Sequence, residues 1–221
     1  MKLFLLLILV GLIIFISIQG FLKFFYRDPV RVPPQIPNII LSPADGKICY
    51  IKHIKSGEVI FSKKNRRSIN ISDMLQNKID TTQNYILIGI QMSFFNVHYQ
   101  RSPIDGVVYD KKYIPGEFLD INLSRKILEF EGERNVTYIK GNDEKILAIV
   151  IQIASNSVRR IESFVNLNDR IKRGDKIGMI KFGSQVDLII PAKNVRLKVS
   201  EKSRIKAGET IIGEYGNGEN K

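Results

Sequence analysis

The groups in this chain best suited to covalent chemistry are a serine hydroxyl beside a glycine and the side chains of two histidines. Ser184 directly follows Gly183, and His53 and His98 are the only histidines. A serine hydroxyl is a weak nucleophile at neutral pH and needs a base, a task that suits imidazole because its pKa lies near neutrality. Taken alone, the local sequence 181–188 is typical of a strand interrupted by a tight Gly-Ser bend.

The cysteine and histidine counts exclude several other kinds of site. Cys49 is the only cysteine, so the chain can form neither an intrachain disulfide nor a thiolate metal cluster. Two histidines cannot supply most zinc-enzyme ligand sets. We therefore predict no metal site.

Basic residues give the chain a formal net charge of +12. They form short clusters, which are Lys63–Lys64, Arg66–Arg67, Lys111–Lys112, Arg159–Arg160 and Lys172–Arg173. Such a surface favours a polyanionic partner, either nucleic acid or an anionic bilayer, but it also occurs on proteins that are simply soluble. Charge alone does not decide between these partners.

The amino-terminal segment predicts a membrane anchor. Residues 3–22 are apolar except for Ser17 and Gln19, and about 20 such residues match the hydrocarbon thickness of a bilayer. A cleaved signal peptide is disfavoured because the small-x-small cleavage pattern is poor. We assign residues 1–26 to the anchor. The basic residues that follow it, Lys23, Arg27 and Arg31, place the rest of the chain on the cytoplasmic side by the positive-inside bias.

Beyond the anchor, the pattern predicts a proline-rich linker and one β domain. Residues 28–38 contain four prolines and cannot be helical, so 27–38 is an extended linker and 39–221 is the folded domain. Short runs rich in Ile, Val, Tyr and Phe predict strands at 39–41, 47–54, 85–92, 106–114, 127–130, 136–140, 146–153, 177–182, 186–190 and 195–199. Residues 69–80 have room for one or two helical turns, and 155–164 is ambiguous.

Two internal echoes predict a duplicated architecture. The segment 170–177, Arg-Ile-Lys-Arg-Gly-Asp-Lys-Ile, recurs at 204–211 as Arg-Ile-Lys-Ala-Gly-Glu-Thr-Ile. Likewise Ser-Pro-Ala-Asp-Gly at 42–46 recurs as Ser-Pro-Ile-Asp-Gly at 102–106. Two copies of a strand-turn-strand unit favour a duplicated fold over a solenoid. We expect a mainly β, barrel-sandwich-like domain behind the membrane helix.

Five short motifs occur in an order that resembles one enzyme family. They are Phe-Phe-Tyr-Arg-Asp-Pro at 24–29, Leu-Ser-Pro-Ala-Asp-Gly-Lys at 41–47, Met-Ser-Phe-Phe-Asn-Val-His at 92–98, Tyr-Ile-Pro-Gly at 113–116 and Phe-Gly-Ser at 182–184. The chain resembles phosphatidylserine decarboxylase proenzymes, in particular their short, archaeal-type branch. The resemblance extends from about residue 24 to about residue 190.

The resemblance implies a self-processing lyase. The bond between Gly183 and Ser184 would be the self-cleavage site, the products 1–183 and 184–221 would stay together as a heterodimer, and Ser184 would become a covalent pyruvoyl cofactor. That group would form a Schiff base with phosphatidylserine in an anionic cell membrane and release CO2 and phosphatidylethanolamine. It implies no nucleic-acid partner, and it leaves head-group selectivity and further homo-oligomerisation open.

The resemblance also implies the acid and base residues. His98 lies in a matched motif, and Asp45 matches the aspartate that orients the imidazole, although an Asx-type turn residue before a glycine would have the same sequence. The longer bacterial members carry a second histidine three residues after the first. Here that position is Arg101, which cannot act as a base at neutral pH.

One reading from another class also accounts for part of the sequence. A membrane-anchored, non-enzymatic barrel-sandwich adaptor would explain the anchor and the paired glycine turns. It would not explain why His98, Asp45 and Gly183–Ser184 each occur in a family motif. We therefore predict a decarboxylase, with the adaptor as the alternative.

Overall fold

The structure, a computed structural model, is mainly β behind one amino-terminal helix, as the sequence predicts. It describes residues 2–58, 61–64, 67–70, 80, 82–115, 133–142, 146–154, 161–181 and 185–216. The helix α1, Lys2–Phe25, has 24 residues and is the one described helix that is long and apolar enough to cross a membrane. At 1.5 Å per residue it is about 36 Å long, which exceeds the hydrocarbon thickness of a bilayer.

Sixteen strands follow the helix within the described residues. They are β1 Ile39–Leu41, β2 Gly46–Ile54, β3 Phe61–Lys64, β4 Arg67–Asn70, β5 Tyr85–Gln91, β6 Tyr99–Arg101, β7 Gly106–Ile114, β8 Arg134–Gly141, β9 Leu147–Ile153, β10 Ile161–Ser163, β11 Arg170–Ile171, β12 Lys176–Ile180, β13 Gln185–Pro191, β14 Val195–Leu197, β15 Arg204–Ile205 and β16 Ile211–Tyr215.

These strands form one large sheet and three small ones. The eight-stranded sheet has the order β11-β7-β8-β9-β13-β5-β2-β15, and two three-stranded sheets have the orders β1-β16-β14 and β10-β12-β6. The main core lies between the large sheet and the two three-stranded sheets, and it contains Ile40, Ile48, Val150, Ile177, Val186 and Ile212. A second cluster on the other face of the large sheet contains Tyr50, Leu87, Tyr138, Ile149 and Ile189.

The internal echoes of the sequence correspond to repeated hydrogen bonds. In one half, β15 pairs with the start of β2, and the N–H of Gly208 donates to the carbonyl of Ser42 at 2.9 Å. In the other half, β11 pairs with the start of β7, and the N–H of Gly174 donates to the carbonyl of Ser102 at 2.8 Å. Both glycines have a positive φ, 72° and 85°. The duplication predicted from the sequence is therefore a duplication in space.

The two halves are joined through the turns that precede their glycines. The N–H of Leu41 donates to the carbonyl of Pro103, and the N–H of Arg101 donates to the carbonyl of Pro43, both at 2.9 Å. Positions 41 and 101 are equivalent in the repeat, as are positions 43 and 103. This reciprocal pair of bonds relates the halves as a pseudo-two-fold axis would.

The linker after α1 packs against the domain. Its residues 27–36 contain no helix or strand, as the prolines predict. The side chain of Arg173 donates to the carbonyl of Ile36, and Pro33 lies against Gly174 so closely that a Cβ on this glycine would be 2.4 Å from Pro33 Cγ. The helix end is thus attached to the domain by a docked strap.

Most predicted strands are present, with ends that differ by a residue or two. The strand 106–114 has the predicted bounds, and residues 69–70, for which we considered helical turns, lie in β4 instead. In the ambiguous segment 155–164, residues 161–163 form β10. The predicted strand at 127–130 and most of the predicted helical segment lie outside the described residues.

The packing of Gly174 yields a stability prediction with a matched control. Gly174→Ala should lower the free energy of unfolding by about 2 kcal/mol or more, because alanine at φ 85° is strained and its Cβ collides with Pro33. Gly57→Ala, at φ 75° with no described atom within 4 Å of the added Cβ, should lose only about 1 kcal/mol. Urea unfolding of the detergent-solubilised chain measures both. Equal losses would mean that the linker contact adds nothing.

Candidate active site

The segments that carry the candidate residues meet at one edge of the eight-stranded sheet. β5 ends at Gln91, and Gln185, the first residue of β13, lies opposite it. On its other side Gln91 faces Lys47, near the start of β2. The loop that carries His98 follows β5, Asp45 precedes β2, and the Gly-Ser pair precedes β13. The fold therefore brings the three motifs to neighbouring positions.

His98 is buried beneath the last residue of the membrane helix. Its residue surface is 1% exposed, and the ring stacks on Phe25 with centroids 4.0 Å apart and an interplanar angle of 30°. Its Nδ1 atom is buried without a hydrogen-bond partner among the described residues. A buried polar atom without a partner is costly and marks a place where another group binds or reacts. The Nδ1 atom is therefore available to another group.

Burial changes the protonation state of this histidine. Desolvation lowers the pKa of His98 to about 4, a backbone hydrogen bond with Asn96 opposes this, the Arg27 charge lowers the pKa further, and the Asp45 charge raises it. Our expectation of a pKa near neutrality is therefore wrong, because it ignored the contact with Phe25. At neutral pH the ring is uncharged, which is the form that can accept a proton.

A row of buried amides supports the backbone of His98. Gln100 Nε2 donates to the His98 carbonyl at 2.9 Å, Gln152 Nε2 donates to Gln100 Oε1 at 2.8 Å, and Asn135 Nδ2 donates to Gln152 Oε1 at 2.7 Å. All three side chains are almost fully buried. A satisfied buried network of this kind restricts the loop to one arrangement.

The Gly183–Ser184 pair lies outside the described residues, but the chain on either side of it is described. Before the pair, the N–H of Ile180 donates to the carbonyl of His98 at 3.2 Å. After the pair, β13 runs between β5 and β9. The chain thus enters this segment from a residue bonded to His98 and leaves it through the middle of the large sheet.

Asp187 is a buried carboxylate that the sequence analysis did not single out. It accepts hydrogen bonds from the Tyr50 hydroxyl at 2.8 Å and from Gln185 Nε2 at 2.9 Å. Both partners are also buried. These bonds fix the position of the first residues of β13, which follow Ser184.

Asp45 has different partners from those we expected. Its two carboxylate oxygens accept hydrogen bonds from Arg31 Nη2 at 3.0 and 2.9 Å, and Oδ1 also accepts from the N–H of Ala207 at 2.8 Å. Arg31 also pairs with Glu209 at 3.1 Å. Asp45 acts on His98 through its charge, since no direct hydrogen bond joins the two side chains. Its backbone bond goes to Ala207, 162 positions away, and not to the N–H two residues further on that an Asx turn would use.

Arg101, which occupies the position of the second histidine, fastens the strap after the helix. Its Nη1 donates to the Gly174 carbonyl at 2.8 Å and its Nη2 to Asp28 at 2.7 Å. Asp28 also pairs with Lys176 at 2.8 Å. A guanidinium therefore takes a structural role where the longer relatives carry an imidazole.

Sequence reasoning missed the residues that reach the site from elsewhere in the chain. Phe25 and Arg31 were assigned to the anchor and linker, and their contacts with His98 and Asp45 could not be read from local patterns. Gln152 does leave a signal, because it is the one polar residue of its strand, Leu147–Ile153, whereas the strand of Asn135 also contains Arg134, Thr137 and Lys140. A buried polar residue in such a strand needs a partner.

Comparison with known proteins identifies the family of the chain. The family model described as "Phosphatidylserine decarboxylase" matches residues 18–213. The matched residues include the last turns of α1, the strap, strands β1 to β15 and most of β16. The chain belongs to the phosphatidylserine decarboxylase family. The matched residues include each motif that we identified.

Named relatives from bacteria and archaea are similar to the chain over most of its length. A phosphatidylserine decarboxylase proenzyme of Geotalea uraniireducens is 35% identical over 90% of this chain and 81% of its own. A putative archaetidylserine decarboxylase proenzyme of Methanocaldococcus jannaschii is 40% identical over 89% of this chain and 90% of its own. A Methanothermobacter thermautotrophicus protein with the same name is 34% identical over 95% and 86%.

The contact between Phe25 and His98 predicts an unusual pH dependence of the rate of self-cleavage. If His98 is the base for self-cleavage, the rate should rise with pH through a midpoint near 4 and stay level to neutrality, because the neutral ring is the active form. Phe25→Ala should move the midpoint up towards the ordinary histidine value near 6.5, because it exposes the ring. Chain cleavage after a short pulse of cell-free synthesis, followed on gels at several pH values, measures both.

The matched control for that experiment is Phe15→Ala, which removes an exposed phenylalanine from the middle of the same helix. Its midpoint should equal that of the unaltered chain. A midpoint near 6.5 in the unaltered chain would contradict the burial of His98 by Phe25.

The Arg31–Asp45 pair gives a second prediction for the site. Arg31→Met should lower the free energy of unfolding by about 3 kcal/mol or more, because it leaves a buried carboxylate without its counter-ion. Adding Asp45→Asn should restore part of the loss. The equivalent pair in the other half, Arg173 and Asp105, is 3.5 Å long and its carboxylate side chain is 42% exposed.

Arg173→Met therefore serves as the control, with an expected loss of about 1 kcal/mol or less from the exposed ion pair and about 1 kcal/mol from the hydrogen bond that Arg173 donates to the Ile36 carbonyl. Urea unfolding in detergent measures all three variants. If Arg31→Met and Arg173→Met lost the same stability, the Arg31–Asp45 pair would carry no special weight at the site.

Proposed function

We propose that the chain is a proenzyme that cuts itself between Gly183 and Ser184 and then decarboxylates a serine phospholipid at the membrane surface. The observation that supports this most directly is the buried imidazole of His98, whose Nδ1 has no hydrogen-bond partner in the part of the chain that the structure describes, lying under the end of a helix long and apolar enough to cross a bilayer. A base at that level suits a substrate whose reacting head group lies at the membrane surface. The adaptor reading has no use for such a base.

Self-cleavage begins with the Ser184 hydroxyl. Neutral His98 takes the hydroxyl proton as the oxygen attacks the Gly183 carbonyl, and transfer of the acyl group from nitrogen to oxygen leaves an ester between the two residues. Glycine leaves this carbonyl unshielded by a side chain. Loss of the Ser184 α-proton then breaks the Cβ–O bond, so that residue 183 leaves as a carboxylate and residue 184 becomes dehydroalanine. Water replaces its nitrogen, which departs as ammonia, and a pyruvoyl group heads the new chain.

The flanking residues fit the demands of this step. The amide row behind His98 fixes its backbone, and the bond from Ile180 ties the incoming chain to the same residue. On the outgoing side, Gln185 is anchored through its bond to Asp187. Chain on both sides of the cut is therefore held while one bond between the anchors rearranges. Asp45 stabilises the charged imidazole through its field.

In decarboxylation, the pyruvoyl group supplies a carbonyl that takes up the electron pair released with CO2. His98 is the residue that we propose to return a proton to the carbon that loses its carboxylate. Its low pKa makes it a strong acid once protonated, and an anionic lipid head group beside it would raise the protonated fraction. Phe25 covers the ring and keeps bulk water away from it.

The substrate class is a phospholipid with a serine head group. The relatives are named for phosphatidylserine and for archaetidylserine, and these two lipids share that head group. We propose that the chain acts at the cell membrane with its β domain on the cytoplasmic side, where Arg27 and Arg31 follow the helix. The products 1–183 and 184–221 would remain together as one enzyme.

Self-cleavage predicts two chains in the purified protein. Intact-mass spectrometry should find a light chain of roughly 4 kDa, from the 38 residues 184–221 at ordinary residue mass, with a first residue that resists Edman degradation.

Ser184→Ala should abolish cleavage and decarboxylation while the fold survives, and Ser184→Cys should still cut slowly. A single uncut chain of the unaltered sequence after long incubation at neutral pH, or normal decarboxylation by Ser184→Ala, would refute the proposal.

The roles of His98 and Asp45 can be separated. His98→Ala should slow both self-cleavage and decarboxylation by about two to four orders of magnitude, because it removes the proton-transfer group. Asp45→Asn should slow self-cleavage more than decarboxylation, and Arg101→His tests whether a second imidazole adds to the rate. Gel time courses and ethanolamine-lipid formation are the measurements. If His98→Ala matured at the normal rate, His98 would act in decarboxylation alone.

A further inference from the structure

The loop that carries His98 presents two phenylalanines at its tip. Phe94 is 54% exposed and Phe95 is 77% exposed. A tight turn holds them there: Asn96 Oδ1 accepts hydrogen bonds from the N–H and Oγ of Ser93 at 2.7 and 2.9 Å, and the N–H of Asn96 donates to the Ser93 carbonyl at 3.0 Å. Single exposed apolar residues are common on soluble surfaces, but two adjacent aromatic rings on a closed turn are a contact surface.

This turn is attached to the end of the membrane helix. The Phe95 and Phe24 rings are 6.5 Å apart in an edge-to-face arrangement. The Arg27 guanidinium donates to the carbonyls of both Phe24 and Phe95, and it lies 4.0 Å from the centroid of the Phe24 ring. One side chain therefore keeps the turn and the helix end at the same height.

The chemistry of this surface matches the boundary between lipid tails and head groups. Aromatic rings and arginines are the residues enriched at that boundary, where rings meet the acyl chains and cations meet the phosphates. The hydrogen bonds of Arg27 within the described part of the chain go to carbonyl oxygens, so no carboxylate there neutralises its charge. An anionic lipid head group would neutralise the charge of Arg27.

We propose that the interfacial patch, defined as Phe24, Arg27, Phe94 and Phe95, is a second contact of this chain with an anionic phospholipid bilayer. The two loop rings enter the acyl boundary and Arg27 binds a lipid phosphate, which keeps the loop of His98 at the level of the head groups. The helix alone leaves the domain free to tilt, whereas two contacts fix the site against the bilayer. This inference rests on the proposed action on a membrane lipid.

The absence of tryptophan from the chain makes a clean test available. Phe95→Trp introduces a single fluorescent reporter at the patch. Lys193→Trp is the matched control, because Lys193 is exposed just beyond the other end of β13, a seven-residue strand that spans about 20 Å. The full-length variants are reconstituted in vesicles of phosphatidylcholine and phosphatidylserine, with and without bromine on the acyl chains.

Emission of the Phe95→Trp variant should move to shorter wavelength and lose most of its intensity in brominated vesicles, while the Lys193→Trp variant should change little. Equal quenching of both variants, or no quenching of either, would overturn the proposal. A shift to shorter wavelength without quenching would also overturn it, because the ring would then be covered by protein, either a second copy of the chain or another partner.

An activity measurement gives an independent readout. Phe95→Ser should raise the surface concentration of phosphatidylserine needed for half-maximal decarboxylation by about tenfold, the equivalent of losing most of the burial of one phenylalanine. Complete self-cleavage of the variant shows that it has folded. An unchanged lipid requirement would count against the proposal. If the unaltered chain failed to decarboxylate at all, the proposed function would fall, and the quenching result would still decide the membrane contact.

Discussion

The fold depends on two reciprocal hydrogen bonds between the Ser-Pro-x-Asp-Gly turns, from Leu41 to Pro103 and from Arg101 to Pro43. Each turn also receives the glycine of its own half, so four chain segments meet at this point. Backbone groups buried there have no access to water and must bond with one another. The requirement explains why both copies keep the same residue types, and the strands that follow them, β2 and β7, have nine residues each.

The candidate site lies where this symmetry is broken. Both halves have an aspartate that accepts a backbone N–H from the opposite turn, Asp45 from Ala207 and Asp105 from Arg173. Asp45 pairs with Arg31 of the strap that follows the amino-terminal helix and is buried, whereas Asp105 pairs with Arg173 of the opposite turn and is more exposed. The strap thus turns one of two equivalent turn residues into a buried charge beside a buried imidazole. The duplication accounts for the shared backbone arrangement of the two halves, and the strap at the end of the helix makes them chemically different.

Residues with local signals were predictable, and those that depend on distant contacts were not. Apolar runs bounded by Gly, Asn and Pro predicted most long strands, and the echo of 170–177 in 204–211 predicted the duplication. The two-residue strands β11 and β15 are too short to appear as apolar runs, and only the echo itself indicated a strand before each glycine. The pKa of His98 is lowered mainly by burial, and one of the side chains that cover its ring is Phe25, which local sequence had assigned to the lipid anchor. The motif 24–29 was visible as a resemblance, but its physical role in covering the site was not.

The position of β13 has a consequence for the lifetime of the molecule. This strand begins directly after Ser184 and is bonded to β5 over its whole length and to β9 over five residue pairs, while β14, β15 and β16 complete two sheets with β1 and β2. If the chain is cut as proposed, these four strands would belong to a separate peptide with no covalent bond to the rest of the molecule. Refolding would then be a bimolecular reaction between a short β peptide and an incomplete, aggregation-prone partner. A cut molecule of this design folds once, and its persistence is governed by an unfolding barrier rather than by an equilibrium.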